Sequence, residues 1–102
     1  MIERIALFKL KPEFCTDAER QEIVDQARRV LPGLPGVLEI SAGVPADAAS
    51  ASSWDVVIAA RFADMKDAQA YRADPQHRRF ADEFLAPRVE VRKAWSFRIQ
   101  RS

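Results

Sequence analysis

The chain has 102 residues, the size of one ordinary domain, with 48% apolar residues to build a core and 30% charged residues to keep it in solution. Sixteen basic and fifteen acidic side chains leave a formal charge of +1, and the arginines are scattered rather than run together, so no nucleic-acid partner is expected. The one cysteine, Cys15, excludes an internal disulfide and a multi-cysteine metal cage.

Ile2 to Lys11 opens the chain with apolar residues in both strand registers, Ile5 and Leu7 on one and Ala6, Phe8 and Leu10 on the other, the pattern of a strand covered on two faces. This stretch never becomes an uninterrupted apolar run, and no later one is long enough to span a bilayer, so a soluble, cytoplasmic protein without a membrane partner is expected. Pro12 stops the strand. Thr16 followed by Glu19 is a capping-box pattern, and Ile23, Ala27, Val30 and Leu31 recur at helical spacing up to Pro32-Gly33. Gly36 to Val44 reads as a short second strand, and Pro45 to Ser53 as an exposed loop of small residues. Trp54 to Phe62 reads as a central strand, with Val56, Ile58, Ala60 and Phe62 on one face and Val57 and Ala59 on the other. Asp64 caps a helix carrying Met65, Ala68 and Tyr71. Pro75 disfavours helical geometry at Asp74, so a bend is expected there, with a second helix starting near Gln76 or His77 and bearing Phe80, Ala81, Phe84 and Leu85. Arg88 to Ile99 closes as a strand.

The order strand, helix, strand, strand, helix, strand gives, with right-handed crossovers, an α+β ferredoxin-like βαββαβ domain over residues 1–102: a four-stranded antiparallel sheet with both helices on one face. Ile5, Leu7, Val57 and Ala59 on the bare face are too apolar for water. A second copy packed face to face on a two-fold axis covers them, so the expected partner is the chain itself, in a homodimer.

The chemistry concentrates in Tyr71-Arg72-Ala73-Asp74-Pro75-Gln76-His77, which places the only tyrosine and the only histidine on either side of the bend. His77 titrates near neutrality and is suited to take a proton from a carbon beside a carbonyl, with Tyr71 donating a hydrogen bond to the developing oxyanion. The competing reading makes His77 a hydrogen-bonded packing residue on the stripe of Phe80 and Phe84. Arg4 shares a strand face with Ala6 and Phe8, where a guanidinium can clamp a carboxylate, although a solvated, ion-paired arginine is the commoner case. Cys15 is read as inert. No Gly-x-Ser-x-Gly elbow or phosphate-binding glycine loop occurs, and no cofactor or metal is expected.

The opening Arg4 to Lys11, Leu34-Pro35-Gly36-Val37, Trp54 to Ile58, and above all the Tyr-x-x-x-Pro-x-His element resemble the stress-responsive A/B barrel domain, the dimeric α+β barrel type, over nearly the whole chain. The resemblance implies a homodimeric barrel with a small-molecule pocket between sheet and helices, binding an apolar carbonyl or aromatic ligand. Expected ligand-binding residues are Arg4, Ala6, Phe8, Val56, Ile58 and Phe80, with His77 and Tyr71 as the catalytic pair if the protein is an enzyme. The family includes plant polyketide cyclases in which residues matching Tyr71 and His77 serve an intramolecular aldol condensation. Members commonly carry histidine where this chain has Arg4, and cyclase-like members another at Val56, departures that weigh against a cyclase and exclude a two-histidine metal site. The alternatives are a cyclase- or isomerase-like enzyme, or a cofactor-independent monooxygenase.

Overall fold

In the computed structural model, which describes residues 1–100, β1 (Ile2–Leu10) leads through a 3-10 turn at Pro12–Phe14 into α1 (Asp17–Val30). Thr16 caps α1 by accepting the Glu19 N–H at 3.1 Å. The reciprocal arm of the expected capping box is not formed, because the Glu19 carboxylate instead meets Arg88 at 3.4 Å.

The second strand is shorter than its sequence pattern suggests. Pro35 and Gly36 occupy a turn closed by the Val37 N–H on the Leu34 carbonyl, and Gly36 has φ of +82°, the backbone conformation a type II turn needs at that position. A Cβ on Gly36 would also stand 3.0 Å from the Asp67 side chain. β2 therefore begins only at Glu39 and runs to Gly43. The expected loop that follows holds one helical turn, α2 (Ala48–Ala51), capped by the Asp47 carboxylate on the Ser50 N–H. That turn draws in the Trp54 N–H, which donates to the Ser50 carbonyl, so β3 starts at Val56 and ends at Phe62.

α3 (Met65–Ala73) is capped by Asp64 as its sequence implies. α4 (Pro75–Arg79) starts at the proline itself, whose missing N–H costs nothing at a helix's first position. The chain then widens into a π-helical segment, Phe80–Leu85, and a 3-10 turn, Ala86–Arg88, before β4 (Val89–Arg98). Arg88 stacks on Phe84, its guanidinium carbon 4.2 Å from the ring centroid, and donates to the Phe84 carbonyl, which ties the end of the helical segment to the start of β4.

The four strands are antiparallel in the order β2-β3-β1-β4, the ferredoxin-like arrangement. Ile2, Phe8, Leu10, Ile58, Ala60 and Phe62 point to the helix side and form one buried core with Ile23, Ala27 and Leu31 of the first helical layer. The opposite face is uncovered. There Ile5 stands between Ala59 and Trp95, and Leu7 stands beside Val57, while Trp95 and Phe97 remain 46% and 50% exposed.

Asp55, just ahead of β3, is a buried polar residue that the sequence reading passed over. Its Oδ2 accepts the Leu10 N–H at 2.7 Å, and its Oδ1 accepts from Arg20 of α1 at 2.7 and 3.0 Å and from the Cys15 thiol at 3.4 Å. The β1–β3 ladder ends at Phe8 and Val56. The Asp55 side chain thus supplies Leu10 with the acceptor that β3 no longer offers. Burial pushes this carboxyl up, but the Leu10 N–H, Arg20 and Cys15 outweigh it and hold the group below the usual carboxylate range.

Candidate functional site

Between the helix-side face of the sheet and the α3–α4 bend lies a cleft of about 360 Å³. Tyr71 reaches it from the last turns of α3 and His77 from α4. Their relative placement is set by Asp74, which ends one helix and starts the other. Its N–H bonds the Tyr71 carbonyl, and its Oδ1 accepts the Gln76 N–H at 2.8 Å and, more weakly, the His77 N–H at 3.4 Å. The imidazole and phenol consequently pack together, ring centroids 4.3 Å apart at 48°, with Phe62 behind the tyrosine at 5.0 Å.

Arg4, Ala6, Phe8, Ile58 and Phe80 also line this cleft, together with Tyr71 and His77. Val56 does not. It pairs with Phe8 beside Asp55, where it is sealed at 2% exposure in the core. Ten lining residues were not assigned to a site from the sequence, Arg72, Arg78, Arg92 and Ala94 among them. For the two strand residues a signal was present. With Trp95 and Phe97 turned to the bare face, alternation sends Arg92, Ala94 and Ser96 to the helix side.

The electrostatics divide the labour of the pair. Burial pushes the Tyr71 phenol up to about 12, against the smaller opposing pull of Arg4, so at neutral pH it is a hydrogen-bond donor and not a base. Burial lowers His77 from its ordinary value, a backbone contact with Arg72 works the other way, and the Arg4, Arg78 and Arg92 charges lower it further. The imidazole is neutral at pH 7 and able to accept a proton. Its Nδ1 is buried with no hydrogen-bond partner among the described residues. No group of three or more His, Cys, Asp or Glu side chains is placed to hold a metal ion among the described residues.

A histidine whose pKa is lower folded than unfolded takes up its proton more readily in the unfolded chain. Stability is therefore lost as pH falls through and below about 6.5. Urea midpoints measured at pH 7.5 and pH 5.5 should drop further for the native chain than for His77→Gln. Equal drops would mean that the imidazole is solvated.

The model of the family described as the Stress responsive A/B Barrel Domain matches residues 2–98. No curated protein matches the chain. Among solved structures, a family member of ferredoxin-like fold from Mesorhizobium loti superposes with a TM-score of 0.80 at 19% identity, covering 97% of this chain and 96% of that one. A dimeric ferredoxin-like protein of unknown function from Thermobifida fusca gives 0.81 at 22% identity, over 96% and 90% of the two chains. The hydroxynitrile lyase of Passiflora edulis gives 0.79 at 16% identity, over 99% and 94%. Identities this low establish a shared fold. No helix of the described residues is long and apolar enough to cross a membrane.

Proposed function

The chain belongs to the stress responsive A/B barrel domain family, and we propose that it is a single such domain that pairs with a second copy and binds a small molecule, an aromatic or carbonyl compound, in the cleft beside Tyr71 and His77. The observation that carries this reading is the placement of the pair, with His77 in the wall of a 360 Å³ cleft and the Tyr71 phenol packed against it. The cleft falls within the size range of small-molecule sites. The dimer reading draws on the uncovered apolar sheet face and on the dimeric Thermobifida fusca structure.

A second reading, proton-transfer catalysis, is favoured by a specific feature. The phenol is held protonated and the imidazole neutral, the states in which Tyr71 stabilises an oxyanion while His77 removes a proton from the neighbouring carbon. The solved hydroxynitrile lyase of the same fold shows that this architecture accommodates enzymes.

Because His77 is the only histidine, one imidazole spectrum reports on the site. Titrating histidine-labelled protein with acetophenone should shift the His77 ring resonances saturably. His77→Ala should weaken acetophenone binding by about tenfold or more while leaving the urea midpoint nearly unchanged, since a lost hydrogen bond to a bound molecule is worth roughly 0.5–1.5 kcal/mol and the ring's contact is lost with it. An unshifted spectrum, or a loss of several kcal/mol of stability in the variant, would make the histidine a structural residue.

A further inference from the structure

A cleft for a neutral compound has no use for gathered cations, yet Arg4, Arg72, Arg78 and Arg92 all line this one, and no aspartate or glutamate does among the described residues. Arg20, Arg61, Arg79 and Arg88 each meet a carboxylate elsewhere on the molecule, Arg28, Arg29 and Arg98 stand outside the cleft with no such partner among the described residues, and Arg78 is answered by Asp82 at 2.6 Å. Arg4, Arg72 and Arg92 have no ion-pair partner among the described residues.

Two of the three emerge where arginine is least expected. Across β1 and β4, Arg4 pairs with Ser96, Ala6 with Ala94 and Phe8 with Arg92. Arg4 and Arg92 are thus on the helix-side face, four residues apart along the ladder and separated by one alanine pair. Apart from Ser96 and Arg98 of β4, the neighbouring β1 and β3 residues on this face, Ile2, Phe8, Ile58, Ala60 and Phe62, belong to the apolar core. Arg72 approaches from α3, one position after Tyr71. Like charges gathered beside low-dielectric walls repel one another. In agreement, burial lowers the Arg4 pKa and the Arg72 and Arg92 charges lower it further. Such a cluster is unfavourable in the empty protein and becomes favourable when an anion enters.

We infer that the molecule bound in the cleft is an organic acid, its carboxylate held by Arg4 and Arg92 with Arg72 beside them, and its apolar body laid on Phe8, Ile58 and Phe80 within reach of His77 and Tyr71. This rests on the small-molecule reading above and adds the charge of the ligand. Guanidinium groups match a carboxylate two bonds at a time, and charge-assisted bonds of this kind are about twice as strong as neutral ones. The pair of alanines between Arg4 and Arg92 leaves room above the sheet for the head group, while the phenylalanines give the rest of the molecule an apolar surface.

The test compares phenylacetate with its uncharged amide, phenylacetamide, using the His77 ring resonances and isothermal titration on the same protein. Phenylacetate should bind about tenfold or more tightly than the amide, and its affinity should fall as salt is raised. Arg92→Gln, at an exposed position where folding is not at stake, should remove most of that preference, as should Arg4→Gln. Equal affinity for acid and amide, or a preference untouched by both substitutions, overturns the inference and leaves the pocket reading standing. Failure of phenylacetate, phenylacetamide and acetophenone alike to move the His77 signals overturns both.

Discussion

Val57→Asp should convert the protein from a dimer into monomers or aggregates. Val57 lies on the bare sheet face between Leu7 and Gly43, and Gly43 presents no side chain of its own there, so the valine supplies the apolar cover for both strands. In a face-to-face pair a carboxylate at this position is buried without a partner. That costs several kcal/mol, and a loss of about 4 kcal/mol raises a dimer dissociation constant roughly a thousandfold. Sedimentation velocity at micromolar concentration reads the result directly. The native chain should sediment as a dimer and Val57→Asp as a monomer with its sheet still formed. Val57→Thr, nearly the same shape and uncharged, should weaken the dimer far less. If Val57→Asp remains dimeric with an unchanged constant, the two copies meet through another surface, and the exposed Trp95 and Phe97 need a different explanation.

The fold was legible in the sequence because its strands state their exposure in a period of two. β1 and β3 are apolar in both registers, which demands cover on both sides and so announces the helices and the uncovered face together. Strand and helix ends were legible where a single residue decides them, as at Thr16, Asp64 and Pro75. They were not legible where a neighbour in space decides them. Gly36 turns the chain against Asp67, and α2 captures the N–H of Trp54, and each shortens a strand whose own residues suit a longer one. The π-helical segment after Arg79 has the same apolar stripe that an α-helix would carry, so the pattern contains no mark of the extra residue per turn.

The candidate site divides in the same way. Tyr71, His77 and the break between them are local, seven residues of one segment, and were readable as a unit. The arginines are not local. Arg4, Arg72, Arg78 and Arg92 are scattered in the chain, and only the pairing of β1 with β4 and the packing of the α3–α4 bend over that pair collect them around one cleft. Scattered charge in a sequence gives no reason to expect a nucleic-acid groove and carries no information about a pocket of this size. The gathering of cations beside the imidazole is thus a product of the fold that no single segment announces.

Asp55→Ala should be among the most destabilising substitutions in the molecule, although Asp55 lies outside the cleft. Three residues, Leu10, Cys15 and Arg20, converge on the Asp55 carboxylate, a cluster with no sequence signature because the carboxylate lies far along the chain from its donors. Removing the carboxylate leaves the Leu10 N–H without its acceptor at the end of the β1–β3 ladder and leaves the Arg20 guanidinium, itself mostly buried, with only the exposed Asp17 carboxylate as counter-ion. Breaking a buried pair in this way costs about 3–5 kcal/mol, and the residual exposure of Arg20 places the expected loss near the lower end, roughly 3 kcal/mol. Asp55→Asn, which keeps an acceptor for the Leu10 N–H but sets an amide NH2 against the Arg20 guanidinium in place of the charge, should lose somewhat less. The pH dependence separates the parts. Because this carboxyl is held below its usual range, its contribution is present above about pH 4 and is lost as pH falls through the folded value. Equilibrium urea unfolding at fixed protein concentration from pH 7 to pH 3 should therefore show native and Asp55→Ala curves that converge in acid. Curves that stay parallel, or a loss below about 1 kcal/mol at pH 7, the scale of an exposed ion pair, would mean that water replaces the carboxylate and that α1 is held to the sheet by its apolar face alone.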